Sequence, residues 1–439
     1  MKPNFEKKVT NWGNYPVVKK KIVSEEDYDK IREFLKSNNE VIARGNGRCY
    51  GDAALGEAIF STKKLNKFIE FDRLNGILEC ESGVLLSEIL EIIVPQGYFL
   101  AVTPGTKFIT LGGAIASNIH GKNHHNEGNF SECIIEFKIM VENGEVLNCS
   151  REENSEKFWA TIGGMGLTGI ILSAKIKLKN IETAYIRQES IKAENLEEIF
   201  HLFEESEDWN YTVAWIDCLQ KGKNIGRSIL LRGEFALKAE LPNNFAENPL
   251  RIKKKVNPTI PFYFPGFVLN SFSVKMFNFL YFNKQRSKTV KKIVDYETFF
   301  YPLDFINDWN KIYGKGGFIQ YQMVIPKENG REGMKRILET IGRSKQASFL
   351  AVLKLFGKNN PEAYNSFPFE GYTLALDFKV NRQLVQLVSN LDKIVEEFGG
   401  RIYLTKDSMS KSSLTNYLKN TESSKFVSLQ SKRIARGNN

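Results

Sequence analysis

Three glycine-rich runs, all before residue 170, restrict this chain more than any other feature. They read ARGNGRCYGD (43–52), TPGTKFITLGGAIASNIHGKNHHNEGN (103–129) and GGMGLTG (163–169). Glycine weakens the interior of a helix or strand by about 0.5–1 kcal/mol per residue, so such runs form neither over their full length. They read instead as chain laid closely around a ligand, with successive N–H groups turned toward phosphate oxygens. One such turn is common in folded proteins; three in one region are not.

The third run holds a literal G-x-G-x-x-G, Gly164 to Gly169, in the wrong setting for a dinucleotide fold. That fingerprint follows a strand and opens a helix, so that the helix N-terminus faces the pyrophosphate. Here the helical stretch SEKFWATIGG comes first and the alternating segment GIILSAKIKLK comes after. A Walker loop is missing too, because HGKN (120–123) lacks the upstream glycine and the Ser or Thr after Lys122. The expected cradle is bare main chain rather than the start of a helix.

At 439 residues the chain is long enough for two or three domains. Its five cysteines (Cys49, Cys80, Cys133, Cys149, Cys218) include no C-x-x-C pair, which argues against disulfides and structural zinc and for a reducing, cytoplasmic setting. No apolar stretch has the length of a signal peptide core or a spanning helix, so a soluble or peripheral protein is expected. Net charge is +10, and ten Lys or Arg with no Asp or Glu fall between Arg251 and Val294. Without them the chain balances at 51 basic and 51 acidic residues, which argues against a nucleic-acid partner and for one surface that meets an anion.

Periodicity places helices at 25–36, 85–96 and in SEKFWATIGG, and strands at 41–45, 67–72, 134–141 and 169–179. From about residue 181 glycine thins out, and β-rich segments such as SILLRGEF, GGFIQYQMVIP, SFLAVLKLFG and YTLALDFKV take over, with a helix in LVQLVSNLDKIVEEFGG. The stretch 258–292 combines nine aromatic residues with flanking lysines. It reads either as a peripheral contact with anionic lipid headgroups through 251–294 or as a buried helix with solvated ends. Periodicity does not separate the two.

The strings RGNGRCYGDAAL, TPGTKFITLGGAIASNIHGKNHHNEG, FWATIGGMGLTGII, GGFIQYQMVIP, VLKLFG and RIYLTKDS occur in that order between residues 44 and 408. They resemble the vanillyl-alcohol oxidase and p-cresol methylhydroxylase superfamily, and within it the decaprenylphosphoryl-β-D-ribose 2′-oxidases. The resemblance implies an α+β fold: an FAD-binding domain at 1–180, a substrate-binding domain of sheet plus helices at 181–399, and a return to the first domain at 400–439. It implies an FAD-dependent oxidoreductase acting on CH–OH groups, which takes a hydride from a sugar hydroxyl carbon of a polyprenyl-phosphate pentose. A keto-sugar results, and an NAD(P)H-dependent short-chain reductase would complete the epimerisation that supplies arabinose for cell-envelope polysaccharide. The competing readings are an oxidase of a soluble aldonolactone or alditol and, in another class, a non-catalytic protein that holds FAD or a sugar phosphate.

The resemblance also implies site residues. Arg44, Gly45, Asn46, Gly47, Arg48, Cys49, Tyr50 and Gly51, with Thr103, Pro104, Gly105, Thr106, Gly112 and Gly113, would wrap the pyrophosphate. Ala116, Asn118, His120, Gly121, Asn123, Gly166, Gly169, Ile170 and Tyr403 would line the rest of the FAD. Some members of the superfamily tether FAD through a His where Arg48 stands, so non-covalent FAD is implied. Lys406, Tyr50 and His120 would be catalytic, and Lys122, Gln320, Gln322, Lys354, Ala375 and Lys406 would meet the substrate. Lys406 has two open roles: a cation that stabilises charge on the reduced flavin, or an amine that takes the hydroxyl proton.

Blander readings exist for the same residues. Lys406 beside Asp407 reads as a surface ion pair, and Gln320 and Gln322 as the solvent face of an alternating strand. No metal is expected from HGKNHH, because no carboxylate or cysteine set accompanies its histidines. Two departures stand out. Ala375 occupies the place of a cysteine that mycobacterial members expose to covalent inhibitors, and the stretch before FVSLQSKR is short, which leaves the closing helix of the FAD domain in question.

Overall fold

The computed structural model describes residues 6–437 apart from 254, 345, 411, 412, 416 and 422. Its first part holds three sheets, one of them a pair of short antiparallel strands, Lys7–Val9 and Val18–Lys20. Three short parallel strands, Ile22–Val23, Ala58–Ser61 and Val41–Arg44, lie with the Ala58–Ser61 strand in the middle. Helix Tyr28–Lys36 is capped by Asp27, whose carboxylate accepts from the N–H groups of Asp29 and Lys30. Such a cap is worth about 1 kcal/mol. The helix sends Ile31 and Leu35 into a core with Val41, Phe60 and Ile170.

A six-stranded antiparallel sheet follows, in the order Val146–Ser150, Ile134–Met140, Ile170–Asn180, Ile77–Glu81, Phe68–Asp72, with Tyr98–Leu100 pairing the far end of the long strand. Helix Leu86–Ile93 buries Leu86, Ile89, Leu90 and Ile93 against it, an i, i+3, i+4, i+7 stripe. Between these sheets run the glycine-rich segments. Helix Ser155–Thr161 precedes Gly163–Gly169 and strand Ile170–Asn180 follows, the order that excludes a dinucleotide fingerprint.

Every strand from Tyr185 to Ile402 lies in one eight-stranded antiparallel sheet. Its order is Thr289–Asp295, Tyr185–Ala193, Ser228–Phe235, Tyr211–Ile216, Ala351–Phe356, Gly371–Lys379, Phe318–Pro326, Arg401–Ile402. Helices Leu196–Glu204, Lys327–Ser344 and Arg382–Glu397 cover one face, packing Phe200, Ile337 and Leu391 against Leu353, Leu374 and Leu376. Alternation then turns Thr373, Ala375 and Asp377 to the opposite face, beside Gln320 and Gln322 of the neighbouring strand. Phe318 through Ile325 are all buried, so this second face is covered by protein and the solvent-face reading of Gln320 and Gln322 fails.

The chain end returns to its beginning. Phe426 forms a parallel bridge with Val41, and Leu429–Gly437 is a helix, so the closing element is present despite the short approach to it. In the basic stretch, helix Ser271–Lys284 buries Val274, Asn278 and Phe282 and leaves most of its other large side chains exposed, so it is not the buried helix of the second reading. Lys254, one of the ten basic residues there, lies outside the described residues. Among the described residues no helix is long and apolar enough to cross a membrane.

Candidate active site

The glycine-rich runs meet each other and the chain end. A Cβ on Gly45 would collide with the Thr110 hydroxyl of the second run, and one on Gly51 with the main-chain oxygen of Asp407. Asn46 donates to Phe108 O at 2.8 Å, a further tie between the first two runs. Gly47 has φ +64, a left-handed conformation closed to most residues. Thr110 caps helix Leu111–Ala116 by accepting from Gly113 N–H.

What this leaves unpaired describes the ligand. Among the described residues, the main-chain N–H groups of Asn46, Gly47, Arg48, Gly105 and Thr106 donate to no protein group. The buried hydroxyls of Ser82 and Ser408 also lack partners, and they abut Gly112 and Gly51 respectively. Unpaired buried polar atoms are rare and costly unless something fills the place. Arg44 and Arg48 add charge: Arg44 donates to Thr10 O and Asn11, and the Arg48 guanidinium lies 3.9 Å from the Trp12 ring centroid. N–H groups, hydroxyls and two guanidinium groups without a carboxylate among the run residues 44–51 fit a diphosphate-bearing cofactor.

Other expected cofactor residues fall in several positions. Pro104 and Gly105 lie toward the surface, and nothing stands within 4 Å of a Cβ on Gly105. Thr103 Oγ1 meets Tyr301 OH at 2.6 Å, Thr106 accepts from Phe108 N–H, Ala116 O accepts from Met165 N–H, and Gly121 packs on Thr103. Half-buried Cys49 has its thiol pKa raised by desolvation, and Trp12 N–H donates to its main-chain oxygen. Gly166 and Gly169 have positive φ. Three side chains are committed elsewhere: Asn118 to Ser366 and Ser131, Asn123 to Ala101 O and Glu127, and Ile170 to the apolar core.

The eight-stranded sheet supplies the other wall. Lys406 Nζ sits 4.1 Å from the centroid of the Tyr50 ring, and Tyr50 N–H donates to Thr405 O. Gln320 donates to Asp377 Oδ1 at 2.6 Å and to Tyr50 OH at 3.3 Å, while Tyr313 donates to Asp377 Oδ2 at 3.1 Å. Lys406 is not paired with Asp407, whose carboxylate is held by Arg433, so the surface ion-pair reading fails. Tyr403 donates to Ser117 O and stacks on Phe367, and His120 packs among Tyr403, Phe356 and Phe367.

His120 is the centre of a second chain of contacts. Gln322 Nε2 lies 3.2 Å from both His120 Nε2 and Thr373 Oγ1, Thr373 donates to Met323 O, and Lys354 Nζ lies 3.4 Å from His120 Nδ1. A neutral imidazole offers one N–H and one acceptor. With Gln322 donating to Nε2, Nδ1 carries the proton and donates to Lys354 as a free amine; with the amide turned, Lys354 as an ammonium donates to Nδ1. Burial, then the Lys354 and His124 charges, pushes the His120 pKa well below its usual value, which keeps the ring neutral.

The three site lysines differ in surroundings. Burial lowers Lys354 to about 7, and the charge of Lys406 adds to the effect. Burial likewise lowers Lys122 to about 7, with Lys354 adding; its ammonium donates to Phe299 O and lies 4.5 Å from the Phe299 ring centroid. Lys406 falls to about 8 because burial is opposed by Asp377. Asp377 itself is raised to about 7 by burial, against its hydrogen bonds from Gln320 and Tyr313. Beside Lys354, Ala375 registers with Gln322 and Val352, and Val352 with Trp215, an apolar floor.

A family model described as an FAD binding domain matches residues 21–150. Over 416 residues the chain is 36% identical to the decaprenylphosphoryl-beta-D-ribose oxidase of Mycolicibacterium smegmatis, which covers 92% of this chain and 90% of that protein. The chain belongs to that oxidase family. It is 27% identical over 333 residues to a Streptomyces coelicolor protein known as the uncharacterized protein in mprA 5′region, over 74% of this chain and 89% of that one. Similarity to the L-gulonolactone oxidase of Scyliorhinus torazame is 26% over 175 residues, 39% of this chain and 40% of that enzyme. The family likeness therefore runs through the eight-stranded sheet, whereas the lactone oxidase likeness covers a minor part of the chain. This protein is an FAD-dependent oxidoreductase.

Several residues at this site carry no sequence signal of their own. Asp377, Thr373, Tyr313 and Trp215 read as ordinary strand or loop residues. Period-2 alternation from Ala375 would have found Thr373 and Asp377, since all three share a face. Asp52, Asp407 and Arg433 are joined across 381 residues of sequence, which no local pattern reports. Among the described residues no group of three His, Cys, Asp or Glu could hold a metal.

Proposed function

We propose that this protein oxidises a sugar hydroxyl of a polyprenyl-phosphate pentose to the ketone, as the first half of an epimerisation that an NAD(P)H-dependent short-chain reductase completes. The supporting observation is one face of the large sheet: Lys354 lies next to the apolar strand residues Ala375, Val352 and Trp215, its amine feels the charge of Lys406 and acts in turn on Lys122, and Asp377 is the carboxylate facing Lys406. A cationic Lys406 beside apolar surface suits an anionic headgroup on an apolar chain. A division into 1–180, 181–399 and 400–439 draws support from the change of sheet between Asn180 and Tyr185 and from the return of Phe426 to Val41, while Arg401–Ile402 still pairs within the large sheet. A peripheral position at a membrane through 251–294 follows from the same substrate.

Bound FAD supplies the hydride acceptor. The residues of this chain do the rest. Lys406, facing Asp377, acts as the ammonium that stabilises charge developing at the reacting oxygen. Lys354, in its free-amine state beside the His120–Gln322–Thr373 chain, accepts the hydroxyl proton. Environments that push two like groups to different protonation states are how one site runs acid and base chemistry at one pH. Tyr50 shields Lys406 on one side, and Arg48 over Trp12 is consistent with FAD held without a covalent bond.

The test is anaerobic addition of substrate to the yellow protein. Loss of the visible flavin absorbance with a polyprenyl-phosphate pentose, and its persistence with free aldonolactones and alditols, is expected. Bleaching by the soluble lactones instead would select the competing oxidase, and an unchanged spectrum with every compound would select a non-catalytic binder.

A further inference from the structure

The exposed apolar residues of this molecule are not scattered. Among the described residues, ten of the nineteen large ones fall between Val256 and Tyr281, including Val256 at 92%, Phe267 at 77%, Phe272 at 74% and Leu280 at 60% exposure. Isolated exposed apolar residues need no explanation, but a contiguous set does. Helix Ser271–Lys284 is apolar nearly all round and buries one stripe, Val274, Asn278 and Phe282. Asn278 donates to Asp217 Oδ1 at 2.7 Å, and Phe282 lies under Lys192 and Arg227, which fixes the helix to the sheet and keeps Phe272, Met276, Phe279 and Leu280 outward.

Charge identifies the occupant. Among the described residues, Arg251, Lys253, Lys275, Lys284, Arg286 and Lys292 are exposed and form no ion pair, whereas Lys255, Lys288 and Lys291 pair with Asp295, Glu198 and Glu189, so this acid-free stretch keeps a net positive surface beside those rings. A cationic rim around outward Phe and Leu is unsuited to a second copy, whose identical rim would repel it. It complements a bilayer whose headgroups are anionic: rings enter the headgroup boundary and lysines remain with the phosphates.

The same helix borders the site. Tyr281 packs 4.8 Å from Trp215, Trp215 registers with Val352, and Val352 with Ala375 on the apolar floor. We infer that the segment 256–284 is an anionic-lipid docking surface whose helix forms the wall between the bilayer and the substrate cavity, so that a lipid-borne sugar passes from membrane to site along its Tyr281 side. The docking surface stands on exposure and charge; the passage rests on the proposed polyprenyl-phosphate substrate.

The experiment uses the FAD-loaded full chain and vesicles of phosphatidylcholine with or without phosphatidylglycerol. Sedimentation with the phosphatidylglycerol vesicles is expected, falling with salt, and a Phe272→Ser/Phe279→Ser double variant should lose at least tenfold in binding while keeping its flavin content. That variant should also lose at least tenfold in turnover of a long-chain substrate embedded in vesicles and none with a short-chain, water-soluble analogue. Equal binding to uncharged vesicles, equal binding by the variant, or a concentration-dependent dimer that the variant abolishes would each overturn the docking surface. Vesicle binding without turnover of either substrate would leave the docking surface standing and remove the substrate reading and with it the passage.

Discussion

Lys406 and Asp377 face each other across the site, and each sets the charge of the other. Lys406 is brought down to about 8 by burial and held there by Asp377; Asp377 is brought up to about 7 by burial. Around Lys406 also stand Tyr50, Cys49, Lys354 and His120. If the ammonium is the working form, substrate reduction of the flavin slows as pH rises through about 8. Asp377→Asn removes the charge that raises Lys406, so this limb should move to lower pH. Below about 7 Asp377 is already protonated, and there the substitution should change little. Stopped-flow flavin reduction against pH checks both, and a rate that instead rises through the same limb would make Lys406 the base. Lys406→Met should keep the flavin and lose reduction by at least a hundredfold, since a positioned charge of this kind contributes about 3–4 kcal/mol. Retained reduction in that variant would show that the lysine does not act at the reacting centre.

The C-terminal helix Leu429–Gly437 works as a clamp on two loops. Arg433 holds Asp52 through two hydrogen bonds of 2.8 and 2.9 Å and Asp407 through one of 2.7 Å, while Gln430 donates to Leu404 O. Asp52 ends the first glycine run and Asp407 follows Lys406, so one guanidinium joins the first glycine run to the turn that carries Lys406. The carboxylates are each 5% exposed, which makes their loss of a partner expensive. Breaking a buried pair from one side costs about 3–5 kcal/mol. Arg433→Met is expected to lower denaturant stability by that amount and to weaken FAD retention, as measured by chemical unfolding and by flavin content after dialysis. Arg433→Lys should recover less than half, because an ammonium cannot reproduce the forked geometry.

At the scale of the molecule, the proposed FAD cradle makes the cofactor part of the stability of the fold, because it draws on runs near residues 45, 105 and 166 and on the chain end at Ser408. A ligand that binds only the folded state at a hundredfold excess over its Kd adds about 2.7 kcal/mol. Removal of FAD should therefore lower Tm and its return restore it, and denaturation should release the flavin free of protein if Arg48 is no tether. Much of this architecture is legible in the residues: the glycine runs mark the cradle, reversal of helix and strand around Gly164–Gly169 excludes a helix-start site, and alternation marks the strands of the large sheet. Lys406 and Gln320 are found by motif, yet Asp377 and Arg433 are not. Local patterns report what neighbouring residues do, through backbone preference and period. Which carboxylate opposes which lysine, and which ring is left in solvent on a helix that is apolar all round, depends on contacts between residues hundreds apart, and those exist only once the sheet has closed and the chain end has returned to its start.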